Sequence, residues 1–134
     1  MDTNNQPSKY SIAPPPREAP RALLKMKELY CFWLKIYRNF PKVERFGIGQ
    51  KIDGLFLEAL ELIFSSVYLP PEHKIILLAK AISKIDSIKF FIQLAWEDNL
   101  ITTEKYSQFL SGLEEIGKML WGWKSGLQNK TSAK

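Results

Sequence analysis

Apolar side chains recur along most of this chain at intervals of three and four residues, the spacing of one face of an α-helix. The first such run begins near Pro20 or Arg21 and stops before Pro41. Leu23, Met26, Tyr30, Trp33, Tyr37 and Phe40 form its seam, while Leu29, Cys31, Phe32, Leu34 and Ile36 fill other angles. From residue 29 to 37 only Lys35 is charged. A bundle core needs a single stripe, so the second apolar face calls for another cover, and a contact between subunits is the preferred explanation.

Proline punctuates the rest of the chain. Pro41 stops helix one, because the residue before a proline avoids the helical region. After a connection through Gly49, helix two runs to about Tyr68. Its seam is Ile48, Ile52, Leu55, Ala59, Leu62 and Ser66, with Phe56, Leu60, Phe64 and Val67 on a second face. Pro70-Pro71 ends it, and Pro71 suits the first position of helix three, where a missing N–H costs nothing. Helix three reaches about Asn99, with Ile75, Leu78, Ile82, Ile85, Ile92 and Ala95 as core candidates. Thr102 or Thr103 suits the N-cap of helix four, with Glu104 well placed for the helix dipole. Tyr106, Phe109, Leu113, Ile116, Leu120 and Trp123 follow at heptad spacing.

Four amphipathic helices joined by short links predict an all-α, antiparallel up-down four-helix bundle. No stretch alternates with period two over a useful length, so a sheet is not supported. The bundle is expected over residues 21–125. Residues 1–20 hold Pro7, Pro14, Pro15, Pro16 and Pro20 and read as a disordered proline-rich tail, either a plain linker or a ligand for a proline-recognising module. Residues 126–134 are polar and read as a frayed C-terminal tail.

At 134 residues the chain has room for one domain. It has one cysteine, Cys31, in an apolar run, which reads as a small buried hydrophobe rather than a reactive thiol. The absence of a disulfide framework, a signal peptide or an uncharged apolar span of about 18 residues predicts a cytoplasmic protein without a membrane anchor.

The usual catalytic constellations are missing. His73, the only histidine, adjoins Glu72 and Lys74 at the start of helix three and reads as solvated surface, since a metal site needs several converging ligands. Glu58 and Glu61, like Glu114 and Glu115, lack the histidines of a di-iron bundle. Gly47-Ile48-Gly49 is too short to cradle a phosphate and follows a helix, so it reads as a cap before helix two. No enzyme activity, no metal and no cofactor are expected.

Charge is the remaining signal. The chain carries 19 basic and 14 acidic residues, a net +5. Residues 17–51 hold nine basic groups against Glu18, Glu28 and Glu44, whereas residues 95–117 set five acids against Lys105. A basic third with aromatics such as Phe46 can bind phosphate and stack on bases, although a solvated helix face reads the same way. On helix three, Lys80 and Lys84 stand four apart on the presumed outer face, and Asp86, Lys89 and Gln93 form a second polar line. That line is either a local ion pair or a partner-facing strip.

Two segments carry a resemblance. Phe40-Pro41-Lys42-Val43-Glu44-Arg45-Phe46-Gly47-Ile48-Gly49-Gln50 resembles the first-turn motif of the accessory variability determinants (Avd) of diversity-generating retroelements. Their relatives, the proteins of 23S ribosomal-RNA intervening sequences, share it. Ile101-Thr102-Thr103-Glu104-Lys105-Tyr106, then Leu113-Glu114-Glu115-Ile116-Gly117 and Trp121-Gly122-Trp123, resemble the fourth helix of that family. The resemblance covers about residues 23–125. Lys89 matches a basic position of the family's third helix, and Gln93 departs from the second. Trp121 stands where the family commonly has the first of two glycines.

The resemblance implies an up-down bundle assembled into a pentameric ring. It also implies a non-catalytic accessory protein that binds the retroelement reverse transcriptase and nucleic acid, RNA or DNA, while a template RNA is copied. Arg38, Lys42 and Arg45 near the first turn, and Lys80, Lys84 and Lys89 on helix three, are the expected contacts to phosphate or to an acidic face. The alternative is a structural homo-oligomer of the intervening-sequence type, without reverse-transcriptase binding.

Overall fold

The computed structural model describes residues 18–132, with side chains from 21 to 131. Among these residues there are four long helices and no strand: α1 (Glu18–Tyr37), α2 (Gln50–Ser66), α3 (Pro71–Glu97) and α4 (Thr103–Ser132). Helix α2 packs on α3, α3 on α4, α4 on α1 and α1 on α2, so the four close around one core as a four-helix bundle. No helix among the described residues is long and apolar enough to cross a membrane.

Helix α1 starts at Glu18, earlier than its proline suggested. Pro20 fits inside the first turn because those amides have no intrahelical partner. The expected tail therefore ends sooner, and its remainder, residues 1–17, lies outside the described residues.

The buried stripe of α1 is Ala22, Met26, Leu29, Trp33 and Ile36, with Phe40 just beyond. This corrects the expected seam. Leu23, Tyr30 and Tyr37 are half-buried flanks, and Leu29 and Ile36 point inward instead. Trp33 belongs to both stripes, and the packing turns the helix about it. Phe32 and Leu34 also lie against the core, so α1 covers most of its second face within its own bundle. Cys31 is exposed, contrary to expectation. It lies two residues from both Leu29 and Trp33, which on a helix puts it on the opposite side.

The other helices contribute Ile52, Leu55, Phe56, Ala59 and Ile63 from α2, and Leu78, Ala81, Ile85, Ile88, Ile92 and Ala95 from α3. Helix α4 adds Phe109, Leu113, Ile116, Leu120, Trp123 and Leu127. Each large side chain among them contributes about 1.5–3 kcal/mol by leaving water. Trp33 is the hub: it stacks on Tyr37 at 5.0 Å and Phe56 at 5.9 Å, and meets Phe40 and Phe109 edge-on.

Helix ends follow local chemistry. Pro71 is the first residue of α3. Asn99 adopts a left-handed φ of 62° just past its end. The Leu100 amide then donates to Ala95 O at 2.9 Å and the Asn99 amide to Trp96 O at 3.0 Å, closing a Schellman motif. Thr102 caps α4, its hydroxyl accepting from the Lys105 amide at 3.2 Å. Helix α4 does not fray after Gly126 but continues to Ser132. Leu127, one turn beyond Trp123, is drawn into the core and carries the helix with it.

Candidate functional site

The connection between α1 and α2 is built rather than loose. Residues Lys42–Glu44 form a helical turn, and Arg45–Gly49 form a π-helical one that kinks at Gly47. The Tyr37 hydroxyl donates to Arg45 O at 3.0 Å, and Arg45 Nη2 donates back to Phe40 O at 3.3 Å. Gly49 lies under the Tyr37 ring: a β-carbon there would sit 2.6 Å from Tyr37 Cε1. Phe40 is buried beneath this turn. Lys42, Val43, Arg45 and Phe46 are left facing water, with Arg38 exposed one step earlier in the chain.

Behind the turn lies a carboxylate that the sequence did not single out. Asp53 Oδ1 accepts from the Tyr30 hydroxyl at 2.9 Å and from Trp33 Nε1 at 3.1 Å. Burial, and then the Asp53 hydrogen bond and charge, push the Tyr30 phenol up to about 12. Burial and Asp53 also raise Tyr37, while the Arg45 charge opposes the rise. The available signal was a polar pair, Tyr30 and Trp33, one turn apart in a helix that has no acid between residues 29 and 37.

The six expected basic contacts are not gathered in one place. Arg38, Lys42 and Arg45 share the first turn. Lys80 is exposed beside a groove between α2 and α3 that Glu58, Glu61 and Leu62 also line. Lys84 lines the same groove and pairs with Glu58 at 3.2 Å. Lys89 faces a different groove, between α3 and α4, shared with Asp86, Glu114, Lys118 and Trp121. Gln93 bonds to Glu97 at 3.2 Å within its own helix.

Exposed apolar groups concentrate on α2 and α3. Leu57 and Phe64 stand out on the first, with Tyr68 just past its end, and Ile76, Phe90 and Leu94 on the second. Among the described residues, no three of the His, Cys, Asp and Glu side chains cluster in a way that could hold a metal ion. His73 is exposed.

The two segments on which the resemblance rests lie in the kinked first turn and along the threonine-capped α4. A family model described as bAvd-like matches residues 23–127. The chain belongs to the bAvd-like family. The match takes in α2, α3, the first turn and most of α1 and α4, and agrees with the resemblance to accessory variability determinants. No curated protein and no solved structure matches this bAvd-like chain.

Proposed function

We propose that this protein is a non-catalytic accessory subunit that docks on a retroelement reverse transcriptase and holds RNA or DNA through basic side chains. Family membership over residues 23–127 is the observation that carries the reading. The polymerase forms the bonds, and the accessory protein positions template and product. Arg38, Lys42 and Arg45 offer one cationic end beside the apolar Val43 and Phe46, a combination suited to a phosphate backbone or an acidic protein face. Lys80 adds a cation at the α2–α3 groove, where Lys84 joins it when its pairing with Glu58 opens, and Lys89 adds a separate one at the α3–α4 groove.

The working unit in this reading is a cytoplasmic ring of up-down bundles, pentameric as in the family it resembles. Opposed directions for α2 and α3 are supported by the Glu58–Lys84 pair, with Ser65 and Leu77 farther along the same groove. Assembly is supported by the exposed apolar residues of α2 and α3, Leu57, Phe64, Ile76, Phe90 and Leu94. The same residues favour the second reading, a structural homo-oligomer without polymerase binding.

Co-purification with a reverse transcriptase encoded beside the gene tests the proposal. The expected result is a complex at low salt that weakens steeply as salt rises. Failure of the two folded proteins to associate at low salt removes the leading reading and leaves the structural oligomer.

A further inference from the structure

The groove between α3 and α4 contains a feature that general basicity does not explain. Trp121 is 53% exposed although it sits in the middle of a 30-residue helix. Exposing an indole there forgoes much of the stabilisation its burial would bring. Two lysines flank it on the same helix face: Lys118 three residues before and Lys124 three residues after. The Lys124 ammonium lies 4.5 Å from the Trp121 ring centroid, a cation–π contact on one face of the ring. Lys89 approaches from α3 across a groove of about 340 Å³.

The space beside the ring is open. Gly117 lines the groove one turn before Trp121, and a β-carbon placed there would meet nothing within 4 Å. Ile82 and Ile85 line the α3 wall of the groove. An apolar slot next to an exposed indole, with cations around it, fits a flat aromatic ring joined to an anion. A partner helix fits less well, because lysines are depleted from the cores of protein interfaces. Asp86 and Glu114 also line the groove. Carboxylates repel phosphate but accept hydrogen bonds from exocyclic amino groups, so they favour the base edge at the slot and phosphate at the lysines.

We propose that Trp121 is a stacking platform for an unpaired nucleobase of single-stranded nucleic acid, with Lys89, Lys118 and Lys124 holding the adjoining phosphates. The inference rests on the reading that the protein binds nucleic acid, and it adds a site and a strandedness to it. A blunt duplex keeps its bases stacked inside and cannot use the slot, whereas single strands stack on aromatic side chains irrespective of sequence.

The test uses the full chain with short labelled oligocytidylate, its deoxy counterpart and a blunt duplex at low salt, since cytosine carries the exocyclic amino group that Asp86 and Glu114 would accept from. Binding is followed by anisotropy and stacking by tryptophan emission. Single strands are expected to quench emission over the same concentrations at which they bind. Trp121→Ala is expected to weaken single-strand binding roughly 5- to 150-fold while duplex binding stays put. Trp121→Phe keeps a stacking ring, so it should bind nearly as the parent but lose the quenching. The two single strands separate RNA from DNA as the preferred source of the base. Unchanged single-strand binding by Trp121→Ala, or an equal loss for strands and duplex, overturns the platform while leaving the accessory role intact. An emission change on dilution of the protein alone that Trp121→Phe abolishes would mean that a second copy covers Trp121, and also overturns it. Absence of any binding at low salt refutes the nucleic-acid reading itself.

Discussion

The indole N–H of Trp33 donates to Asp53 Oδ1 at 3.1 Å, tying the most buried ring of α1 to a carboxylate of α2. The same oxygen accepts the Tyr30 hydroxyl. Replacing Asp53 with alanine leaves two donors without a partner, one of them on a fully buried tryptophan. The expected cost is about 1–3 kcal/mol. Asp53→Asn retains an oxygen acceptor of the same shape and should lose less. Denaturant unfolding of Asp53→Ala and Asp53→Asn measures both, and equal stability of parent and alanine variant would contradict the assignment.

Tyr30 makes alkaline stability pH-dependent. Its phenol ionises near 10 in the unfolded chain and near 12 in the folded one. The folded state therefore holds the proton more tightly, and this stabilisation is complete below pH 10. It is lost as pH rises through 12. Tyr30→Phe should flatten the fall in stability across that window relative to the parent. Identical slopes for the two proteins would show that neither burial nor Asp53 holds the Tyr30 proton in the folded state.

Two glycines should respond in opposite directions. Gly49→Ala places a methyl group against the Tyr37 ring and close to Glu44 O, and is expected to loosen the first turn and lower the melting temperature. Gly122→Ala has open space around it inside α4. It should raise stability by about 0.5–1 kcal/mol through helix propensity. Thermal melts of the two variants against the parent decide the matter.

Much of this fold was legible in the sequence. Pro41 and Pro70-Pro71 marked the helix boundaries because their geometry excludes alternatives, and the three-and-four spacing did the rest. The phase of α1 was not legible, since Leu29 and Ile36 are as apolar as Tyr30 and Tyr37 and only neighbouring helices choose between them. The extension of α4 was masked by Gly126, which suggested an end that Leu127 overrides. Partners on other helices were invisible too: nothing local to Lys84 announces Glu58, and nothing local to Trp33 announces Asp53. The candidate contacts were legible as basic residues but not as separate sets, because their distribution among two grooves and a turn is a property of the packing.

Cys31 offers a direct check on the corrected phase. An exposed thiol on α1 should react with a disulfide reagent in the folded protein about as readily as in denaturant. Protection until unfolding would restore the buried reading, or show that assembly covers that side of the helix.

Lys42 and Arg45 should each lower nucleic-acid affinity when changed to alanine, with little dependence on sequence. Each should also reduce the slope of log affinity against log salt by about one. Anisotropy titrations at several salt concentrations measure the slopes, and unchanged slopes would remove the first turn from the contact surface.

The core joins the two ends of the described chain. Trp33 meets Phe109 at 6.2 Å between ring centroids, and Lys25 pairs with Glu115 at 3.2 Å. On a ribosome the first helix emerges long before its last neighbour. At ordinary synthesis rates its aromatic face waits on the order of ten seconds for Phe109 to be added. During that interval the nascent protein exposes its stickiest surface, so a chain stopped before α4 is a natural substrate for chaperones and proteases.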